Sequence, residues 1–392
     1  MNEESKKKLF LIMPPQQGLL NGFASCLISL ANFIEKKTNV FPEIIDLSCC
    51  TFHEASVKIT QKITKKYAQT LFVGITTTSA SYQSALKIAR LVKQTYPQAV
   101  LILGGHHAGA DPENVLRSHA NLIDVIATGE GEQTLYELIC NYPSLNSVSG
   151  VAFLDNQGHF IRTDPPPFLK EYELDSLSVT HSSEGVIGVP GKFDRVTYVS
   201  SRGCPLDCAF CAVGNEPIRS KSIPAVIRDI EQLLELGFVR IAIEDNFFAN
   251  SVDRTRDICT ALLRIRRDKN NAFVWDCQTR VEALARKDTI DLLSSAGCDA
   301  VFIGVESLQP DQLVYLNKTK EPEKYLDNLM CVVMPRLFDK GIKCYLNIQF
   351  GLPGETESQV QETYRYLNLL GDLAVSYGRS VTIFPQKKDT QC

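Results

Sequence analysis

Hydrophobic and polar positions along residues 1–144 predict strands that alternate with helices. Five apolar runs rich in β-branched residues have the length of buried strands: Lys8–Met13, Glu43–Leu47, Leu71–Thr76, Val100–Gly105 and Asp124–Glu132. Helical spacing of apolar residues lies between them, for example at Leu27, Ala31 and Ile34. The pattern predicts an α/β fold with a doubly wound, Rossmann-like parallel sheet, in which ligands bind beyond the carboxyl ends of the strands.

Residues 145–191 differ from both flanks and predict a linker with a small hairpin. The hairpin turns at Asn156–Gly158, and the proline run Asp164–Pro167 can be neither helix nor central strand. The segment Ser182–Gly191 that follows is rich in Gly, Ser and Val. We therefore expect a first domain over residues 1–144 and a second over residues 192–392.

A second alternation of strands and helices begins at Val196. Its six strand candidates are Val196–Ser200, Val239–Ile243, Phe273–Cys277, Ala300–Val305, Lys343–Phe350 and Ser380–Phe384. Ser222 is placed to cap one intervening helix, and Thr356 with Gln359 has the spacing of a capping box before another. Six units of this kind predict a partial (β/α)6 barrel, and an open doubly wound sheet is the alternative that periodicity alone leaves open.

Composition gives no sign of a membrane or nucleic-acid partner. The formal net charge of the 392 residues is -4, so there is no general attraction to phosphate backbones or anionic bilayers. No apolar run approaches the roughly 18 residues that a membrane-spanning helix needs, and the first residues lack the apolar centre of a signal peptide. We therefore expect a cytoplasmic protein. Most of its 13 cysteines are scattered, which is typical of small buried hydrophobic residues.

Three cysteines are clustered directly after the first predicted strand of the second domain. Cys204, Cys208 and Cys211 have the spacing C-x3-C-x2-C. Closely spaced thiolates are soft ligands that favour an iron–sulfur cluster or zinc, but structural zinc normally takes four ligands and no fourth Cys or His lies nearby. Three thiolates on a four-iron cluster leave one iron open for another ligand. Three structural cysteines without a metal are the remaining alternative.

With Phe210 before the last cysteine, this stretch resembles the signature of radical S-adenosylmethionine (SAM) enzymes. The resemblance implies a [4Fe–4S] cluster on Cys204, Cys208 and Cys211, with the amino and carboxylate groups of SAM on the open iron. It also implies reductive cleavage of SAM to a 5′-deoxyadenosyl radical. We expect an external electron donor of the flavodoxin or ferredoxin type.

The same resemblance implies a SAM pocket at the carboxyl ends of the barrel strands. Its expected members are Phe210, Glu244, Asp245, Arg280, Glu306, Ser307 and Gln349. Glu244 and Asp245 follow the second strand, where the family often places groups for the SAM amino end, and Arg280 can pair with the SAM carboxylate. For each residue alone, a turn or a helix cap is the alternative. The catalytic residues themselves stay unassigned.

The first domain resembles the cobalamin-binding domain that precedes the radical SAM barrel in one large subfamily. The resemblance rests on Gly74–Thr78, Leu103–His107 and Thr128–Glu132 and on the domain order. The expected cobalamin-binding residues are Thr76, Thr77, Ser79, Gly104, Gly105, His106, Gly129, Glu130 and Gly131. Methionine synthase-like domains carry a cobalt-ligating His after the first strand, whereas residues 14–22 contain none. The resemblance therefore implies cobalamin without this ligand, and a domain that has kept its fold without cobalamin is the alternative.

Together the resemblances imply a cobalamin-dependent radical SAM methyltransferase that acts on an unactivated carbon of a small-molecule or natural-product substrate. Cyclisation or rearrangement without methyl transfer is one alternative, and a non-catalytic cobalamin- or cluster-binding sensor is another. A methylthiotransferase-like tRNA enzyme is disfavoured, because the cysteines of the first domain lack the spacing of a second cluster. The chain ends at Cys392, where relatives usually continue, so a complete chain that uses a partner and a shortened form both stay open.

Overall fold

The computed structural model describes residues 7–16, 25–63, 70–181, 195–270, 273–371 and the backbone of 375–380. Within these ranges, the residues up to 181 belong to one compact unit and those from 195 onward belong to a second. No helix of the described ranges is long and apolar enough to cross a membrane. The predicted segment Ser182–Gly191 lies outside the described residues.

The first unit is built on a seven-stranded sheet. Its strands are β1 (Lys7–Met13), β2 (Glu43–Asp46), β3 (Thr70–Thr76), β4 (Val100–Gly104), β5 (Val125–Ala127), β6 (Val151–Leu154) and β7 (Phe160–Arg162). They lie in the order β2-β1-β3-β4-β5-β6-β7, and the first five are parallel. This confirms the predicted doubly wound sheet. The predicted hairpin, β6–β7, is present and pairs antiparallel with β5, so it extends this sheet.

Helices cover this sheet and supply its core. They are α1 (Ser25–Lys37), α2 (Phe52–Lys62), α3 (Tyr82–Thr95), α4 (His106–Ala110), α5 (Pro112–Ser118), α6 (Gly131–Asn141) and α7 (Glu171–Ser176). Ile88 and Val92 of α3 pack with Val73 and Leu101 in one buried apolar cluster, as their helical spacing predicts. The chain order reverses between β1 and β3. In a sheet of this order, the carboxyl ends of those strands form the usual ligand crevice.

The second unit contains a six-stranded parallel sheet. The eight described strands of this unit, of which six form the sheet, are in chain order β8 (Val196–Tyr198), β9 (Ser201–Arg202), β10 (Arg219–Ser220), β11 (Arg240–Ile243), β12 (Val274–Thr279), β13 (Cys298–Glu306), β14 (Lys343–Phe350) and β15 (Val375–Ser380). The sheet order is β8-β11-β12-β13-β14-β15, and β9 pairs only with β10 in a short antiparallel ribbon. Because the order follows the chain without reversal, the sheet is a partial barrel, and the doubly wound alternative is wrong for this unit.

Helices connect the strands of the second unit. They are α8 (Ile223–Glu235), α9 (Val252–Asp268), α10 (Val281–Leu284), α11 (Thr289–Ser295), α12 (Pro310–Tyr315), α13 (Pro322–Asp327), α14 (Met334–Asp339) and α15 (Glu357–Leu370). A π-helical turn, Asn328–Val333, joins α13 to α14. Ser222 caps α8, and Thr356 with Gln359 forms the predicted capping box of α15.

The described part of the last strand begins earlier than predicted. β15 covers Val375–Ser380, whereas the prediction was Ser380–Phe384, of which residues 381–384 lie outside the described part of the chain. Its sequence, VSYGRS, has no apolar run that would mark a strand, and pairing along Tyr345–Phe350 of β14 defines it. Long-range pairing therefore overrides local composition here.

Candidate functional site

The three clustered cysteines lie on a tightly folded loop, residues 203–218, which we call the cysteine loop. It connects the two strands of the ribbon β9–β10. Inside it, the backbone N–H of Cys211 donates to the carbonyl of Cys208 at 3.0 Å, and that of Glu216 donates to the carbonyl of Cys204 at 2.8 Å. These bonds within the backbone of the loop contribute to its conformation.

Gly203 allows the two ends of the cysteine loop to meet. Its φ is 89°, and a Cβ at this position would lie 2.1 Å from the carbonyl oxygen of Pro217. That distance is far inside van der Waals contact, so only glycine fits without displacement of the loop.

Asp245, predicted to contact SAM, instead fixes the backbone that leads into the cysteine loop. Its side chain is buried, and Oδ1 accepts the N–H groups of Ser200 and Ser201 at 2.6 and 2.9 Å. Oδ2 accepts their two hydroxyls at 2.6 and 2.7 Å. Burial raises the pKa of this carboxyl, and the four hydrogen bonds oppose that effect. Because a carboxylate accepts about four hydrogen bonds, no lone pair is left for SAM.

The surroundings of the thiols combine partial burial with positive charge. Cys208 is buried, Cys204 is half-buried and Cys211 is exposed. The guanidinium Nη1 of Arg280 lies 3.6 Å from the sulfur of Cys208. Partial desolvation raises the pKa of the Cys211 thiol, the neighbouring Cys208 and Cys204 act in the same direction, and the ammonium of Lys318 opposes them.

This arrangement fits an iron–sulfur cluster. Within the described ranges, no three His, Cys, Asp or Glu side chains converge closely enough to hold one metal ion. A four-iron cluster does not require such convergence, because each thiolate binds a different iron. Cys204, Cys208 and Cys211 would hold three irons, and the cations of Arg280 and Lys318 lie where they offset the negative charge of thiolate ligands.

Glu306 and Gln349, two other predicted SAM residues, meet at neighbouring strand ends. Gln349 Nε2 donates to Glu306 Oε2 at 2.7 Å, and Lys318 Nζ lies 3.3 Å from Glu306 Oε1. Glu306 has φ of 72°, where the register of β13 against β14 shifts. Gly304 leaves room for the pair, because a Cβ there would lie 2.6 Å from Glu306 Oε1.

Glu244 lies at the end of β11 and is the most open of the predicted acidic residues, with its side chain 50% exposed. Arg195 reaches Glu244 at 3.4 Å and binds Asp276 with two contacts, at 2.7 and 3.0 Å. Ser307 is buried, and its hydroxyl accepts the N–H of Gln309 at 3.1 Å. Of this set, Glu244 retains the most accessible carboxylate for a ligand.

In the first unit, Thr77 ties together the loops that follow β3 and β4. Its buried hydroxyl donates to the carbonyl of Gly104 at 2.7 Å and accepts the N–H of Ala108 at 3.2 Å. Gly105 has φ of 88°, and a Cβ there would lie 2.5 Å from the Thr77 carbonyl oxygen. Thr77 and Gly105 therefore shape the crevice, and the hydroxyl of Thr77 is not directed to a ligand as predicted.

Gly104 and the residues around it provide the open surface of this crevice. Nothing lies within 4 Å of a Cβ added at Gly104. Ser79 Oγ is 3.1 Å from His107 Nδ1, and the His107 ring packs on Tyr82 with centroids 4.1 Å apart. Burial lowers the pKa of His107, which favours its neutral form. A bare backbone beside neutral polar groups fits a broad, flat ligand such as the corrin ring of cobalamin.

The remaining predicted cobalamin residues lie on the neighbouring strand ends. Thr76 ends β3 and is half-buried, and His106 is exposed at the start of α4. Gly129, with φ of 77°, and Glu130 lead into α6, which Gly131 opens. Because β3, β4 and β5 are adjacent, the fold brings these segments to one edge of the sheet, as predicted. Residues 17–22, in the segment without the cobalt-ligating His, lie outside the described part.

Sequence reasoning missed Lys318 and Arg195. Lys318 comes from the turn between α12 and α13, which carries no strand-end or metal-binding motif. Arg195 lies at the amino end of β8, and its side chain reaches Glu244 and Asp276. Both are recognisable only once the strands are aligned, because their partners are 12 and 81 residues away in the sequence.

Two family models match the chain. Residues 198–367 match the radical SAM superfamily, and residues 30–139 match the B12 binding domain. The two matches cover the partial barrel with its cysteine loop and most of the parallel sheet of the first unit. They assign to the chain the cofactors of these families, a [4Fe–4S] cluster with SAM and cobalamin.

Several known proteins are similar to most of this chain. An uncharacterized methyltransferase from Pyrococcus horikoshii is 26% identical over 93% of this chain and 78% of its own length. The anaerobic magnesium-protoporphyrin IX monomethyl ester cyclase of Rubrivivax gelatinosus is also 26% identical, over 84% of this chain and 59% of its own length. The structure of the radical SAM methyltransferase TsrM from Kitasatospora setae has the same fold, with a TM-score of 0.79 and 18% identity over 95% of this chain and 72% of that one. The chain therefore carries a radical SAM domain with a B12-binding domain ahead of it, which is the domain arrangement of cobalamin-binding radical SAM enzymes.

Proposed function

We propose that this enzyme is a cobalamin-dependent methyltransferase that methylates an unactivated carbon of a small molecule. When bound, the cluster, SAM and cobalamin supply the electron, the radical and the methyl group for such a reaction. The observation that carries the proposal is the cysteine loop, with Arg280 against Cys208, at the carboxyl edge of a parallel partial barrel. A B12-binding domain precedes it in the same chain.

The chain's own residues bind and orient the reactants. Cys204, Cys208 and Cys211 would hold three irons of the cluster, and Asp245 keeps their loop in place through Ser200 and Ser201. Glu306 and Gln349 offer an oxygen-rich, hydrogen-bonding edge that suits the hydroxyl groups of a nucleoside. Arg280 supplies a positive charge beside the cluster, where a carboxylate of SAM would lie.

We further propose that an external one-electron donor of the flavodoxin or ferredoxin type reduces the cluster. We also infer a cytoplasmic location, because the reducing cytosol keeps thiols reduced. To test the donor, SAM cleavage is measured with reduced flavodoxin, reduced ferredoxin and dithionite. Both protein donors would be rejected if SAM were cleaved with dithionite but with neither reduced flavodoxin nor reduced ferredoxin.

A cyclisation without methyl transfer is the second candidate. It is favoured by the similarity over 84% of the chain to the magnesium-protoporphyrin IX monomethyl ester cyclase. Both candidates require reductive cleavage of SAM, and they differ in whether the methyl group of SAM reaches the product.

The experiment that tests the proposal uses anaerobically reconstituted protein and SAM with a deuterated methyl group. We expect a four-iron absorption spectrum, bound cobalamin, 5′-deoxyadenosine, and a deuterated methyl group in a small-molecule product from a host-cell extract. The matched control replaces Cys204, Cys208 and Cys211 with alanine and should give no 5′-deoxyadenosine. Cleavage of SAM with an unlabelled, altered product would favour cyclisation, and no cleavage in the wild type would reject both candidates.

A further inference from the structure

The turn Leu316–Lys318, between α12 and α13, is fastened to the cysteine loop. The carbonyl of Leu316 accepts the N–H of Ala209 at 2.9 Å. The side-chain Nδ2 of Asn317 donates to the carbonyl of Asp207 at 2.7 Å. Asn317 has φ of 50°, a left-handed conformation that Asn tolerates better than most residues. The turn thus binds the cysteine loop at two consecutive positions.

The side chain of Lys318 is almost fully buried, with 4% of it exposed. Its ammonium lies 3.3 Å from Glu306 Oε1 and 5.9 Å from the centre of the Phe210 ring, which belongs to the cysteine loop. Phe210 and Glu306 are both in the predicted SAM pocket. A buried ammonium is costly unless it is paired, so this placement fixes the orientation of Glu306 as well as its own.

The backbone of Lys318 also positions Arg280. The carbonyl oxygen of Lys318 accepts a hydrogen bond from Arg280 Nη2 at 2.5 Å, while Nη1 of the same guanidinium lies 3.6 Å from Cys208 Sγ. Glu282 binds the guanidinium from another direction, at 2.9 Å. Lys318 therefore connects the cysteine loop, Arg280 and Glu306, which come from three different elements.

We propose that Lys318 is a positioning residue for SAM: its ammonium sets Glu306 and its carbonyl sets Arg280. Asn317 has a separate role, which is to hold the cysteine loop for the cluster. The proposal rests on the proposed function only in that SAM is the ligand. It does not depend on the methyl acceptor or on cobalamin.

The test separates the two roles with Lys318→Met and Asn317→Gly. Lys318→Met keeps the backbone contacts, so we expect iron content equal to that of the wild type but SAM affinity reduced at least tenfold. It should also weaken the change in the EPR spectrum of the reduced cluster on SAM addition. Asn317→Gly keeps the left-handed backbone but loses the bond to Asp207. We therefore expect lower iron content, with unchanged SAM affinity in the loaded fraction.

Two further variants guard against a purely structural effect. Lys324→Met removes an exposed ammonium from neighbouring α13 and should change neither iron content nor SAM affinity. The double variant Lys318→Met, Glu306→Gln leaves no unpaired buried charge, so its melting temperature should recover towards that of the wild type while SAM affinity stays low.

Each outcome supports or overturns the inference. Wild-type SAM affinity and EPR response in Lys318→Met would overturn it, as would recovery of SAM affinity together with stability in the double variant. Recovery of SAM affinity in Lys318→Arg, which restores the charge, would support it. A wild type that binds no SAM at all would instead reject the proposed function.

Discussion

The carboxylate of Asp245 accepts four hydrogen bonds from two consecutive serines and is buried beneath them. In the first unit, the buried hydroxyl of Thr77 likewise has its partners within the protein: it donates to the carbonyl of Gly104 and accepts the N–H of Ala108. At the scale of single residues, burial with satisfied hydrogen bonds marks the groups that shape a site. The side chain of Glu244, by contrast, is 50% exposed and pairs with Arg195 at 3.4 Å.

Asp245→Ala should lower the free energy of unfolding of the second unit by about 3 kcal/mol, because four donors lose their acceptor in a buried place. It should also reduce the iron bound after reconstitution, since Ser200 and Ser201 lead into the cysteine loop. Denaturant unfolding and iron analysis check both effects. Asp245→Asn should be milder, because the serine hydroxyls can rotate to accept from the amide. Equal loss in both variants would contradict this account.

The burial of two scattered cysteines predicts how their reaction with an alkylating agent depends on pH. Burial raises the pKa of Cys259 and of Cys344 to about 12, so at pH 8 only about one thiol in ten thousand is a thiolate. Exposed Cys331 should therefore react with iodoacetamide in the native protein at pH 8, while Cys259 and Cys344 should not. Because a raised folded-state pKa keeps the thiols neutral, this protection should persist up to pH 10. Peptide mass spectrometry gives the labelled fraction, and native labelling of Cys259 would disprove the assigned burial.

At the scale of elements, the cysteine loop is a short segment whose shape depends on the neighbours that enclose it. The ribbon β9–β10 closes its ends, and the turn Leu316–Lys318 holds its middle. Such a loop can present three thiols before a metal arrives.

Gly203→Ala should disrupt the cysteine loop more than the positive φ of residue 203 alone would explain. Strain at φ of 89° costs about 1–2 kcal/mol, and the clash with the Pro217 carbonyl adds to it by displacing the cysteine loop. Gly341→Ala is the matched control, because Gly341 also has positive φ, 66°, with nothing within 4 Å of the added Cβ. We expect low iron content only in Gly203→Ala. Similar iron content and melting temperature in both variants would rule out the steric argument.

At the scale of the whole molecule, the two units carry separate candidate binding edges. The open backbone at Gly104 belongs to the first, and the cysteine loop belongs to the second. Each edge lies at the carboxyl ends of parallel strands, where both kinds of sheet bind ligands.

Variants of the two units should therefore lose different cofactors. Gly104→Leu fills open space, so it should fold normally but retain several-fold less cobalamin, with iron content unchanged. Replacement of Cys204, Cys208 and Cys211 by alanine should abolish iron binding and leave cobalamin bound. Cobalt and iron analysis of both proteins, with melting temperatures, tests this reciprocity. Loss of both metals in either variant would show that the two edges do not bind independently.

Local patterns along the chain predict most of its helices and strands and part of its chemistry. Apolar periodicity predicted both parallel sheets, the capping residues Ser222 and Thr356 marked helix starts, and the spacing of three cysteines marked the cysteine loop as a candidate site. These features are readable because each depends on residues close together in the chain. The order of strands, by contrast, decided that the second sheet is a partial barrel, and pairing with β14 decided where β15 lies. Only the tertiary structure could commit Asp245 and Thr77 to backbone support and place Lys318 beside Glu306. Burial and hydrogen-bond partners from distant segments set the role of a polar residue, and a one-dimensional pattern does not contain them.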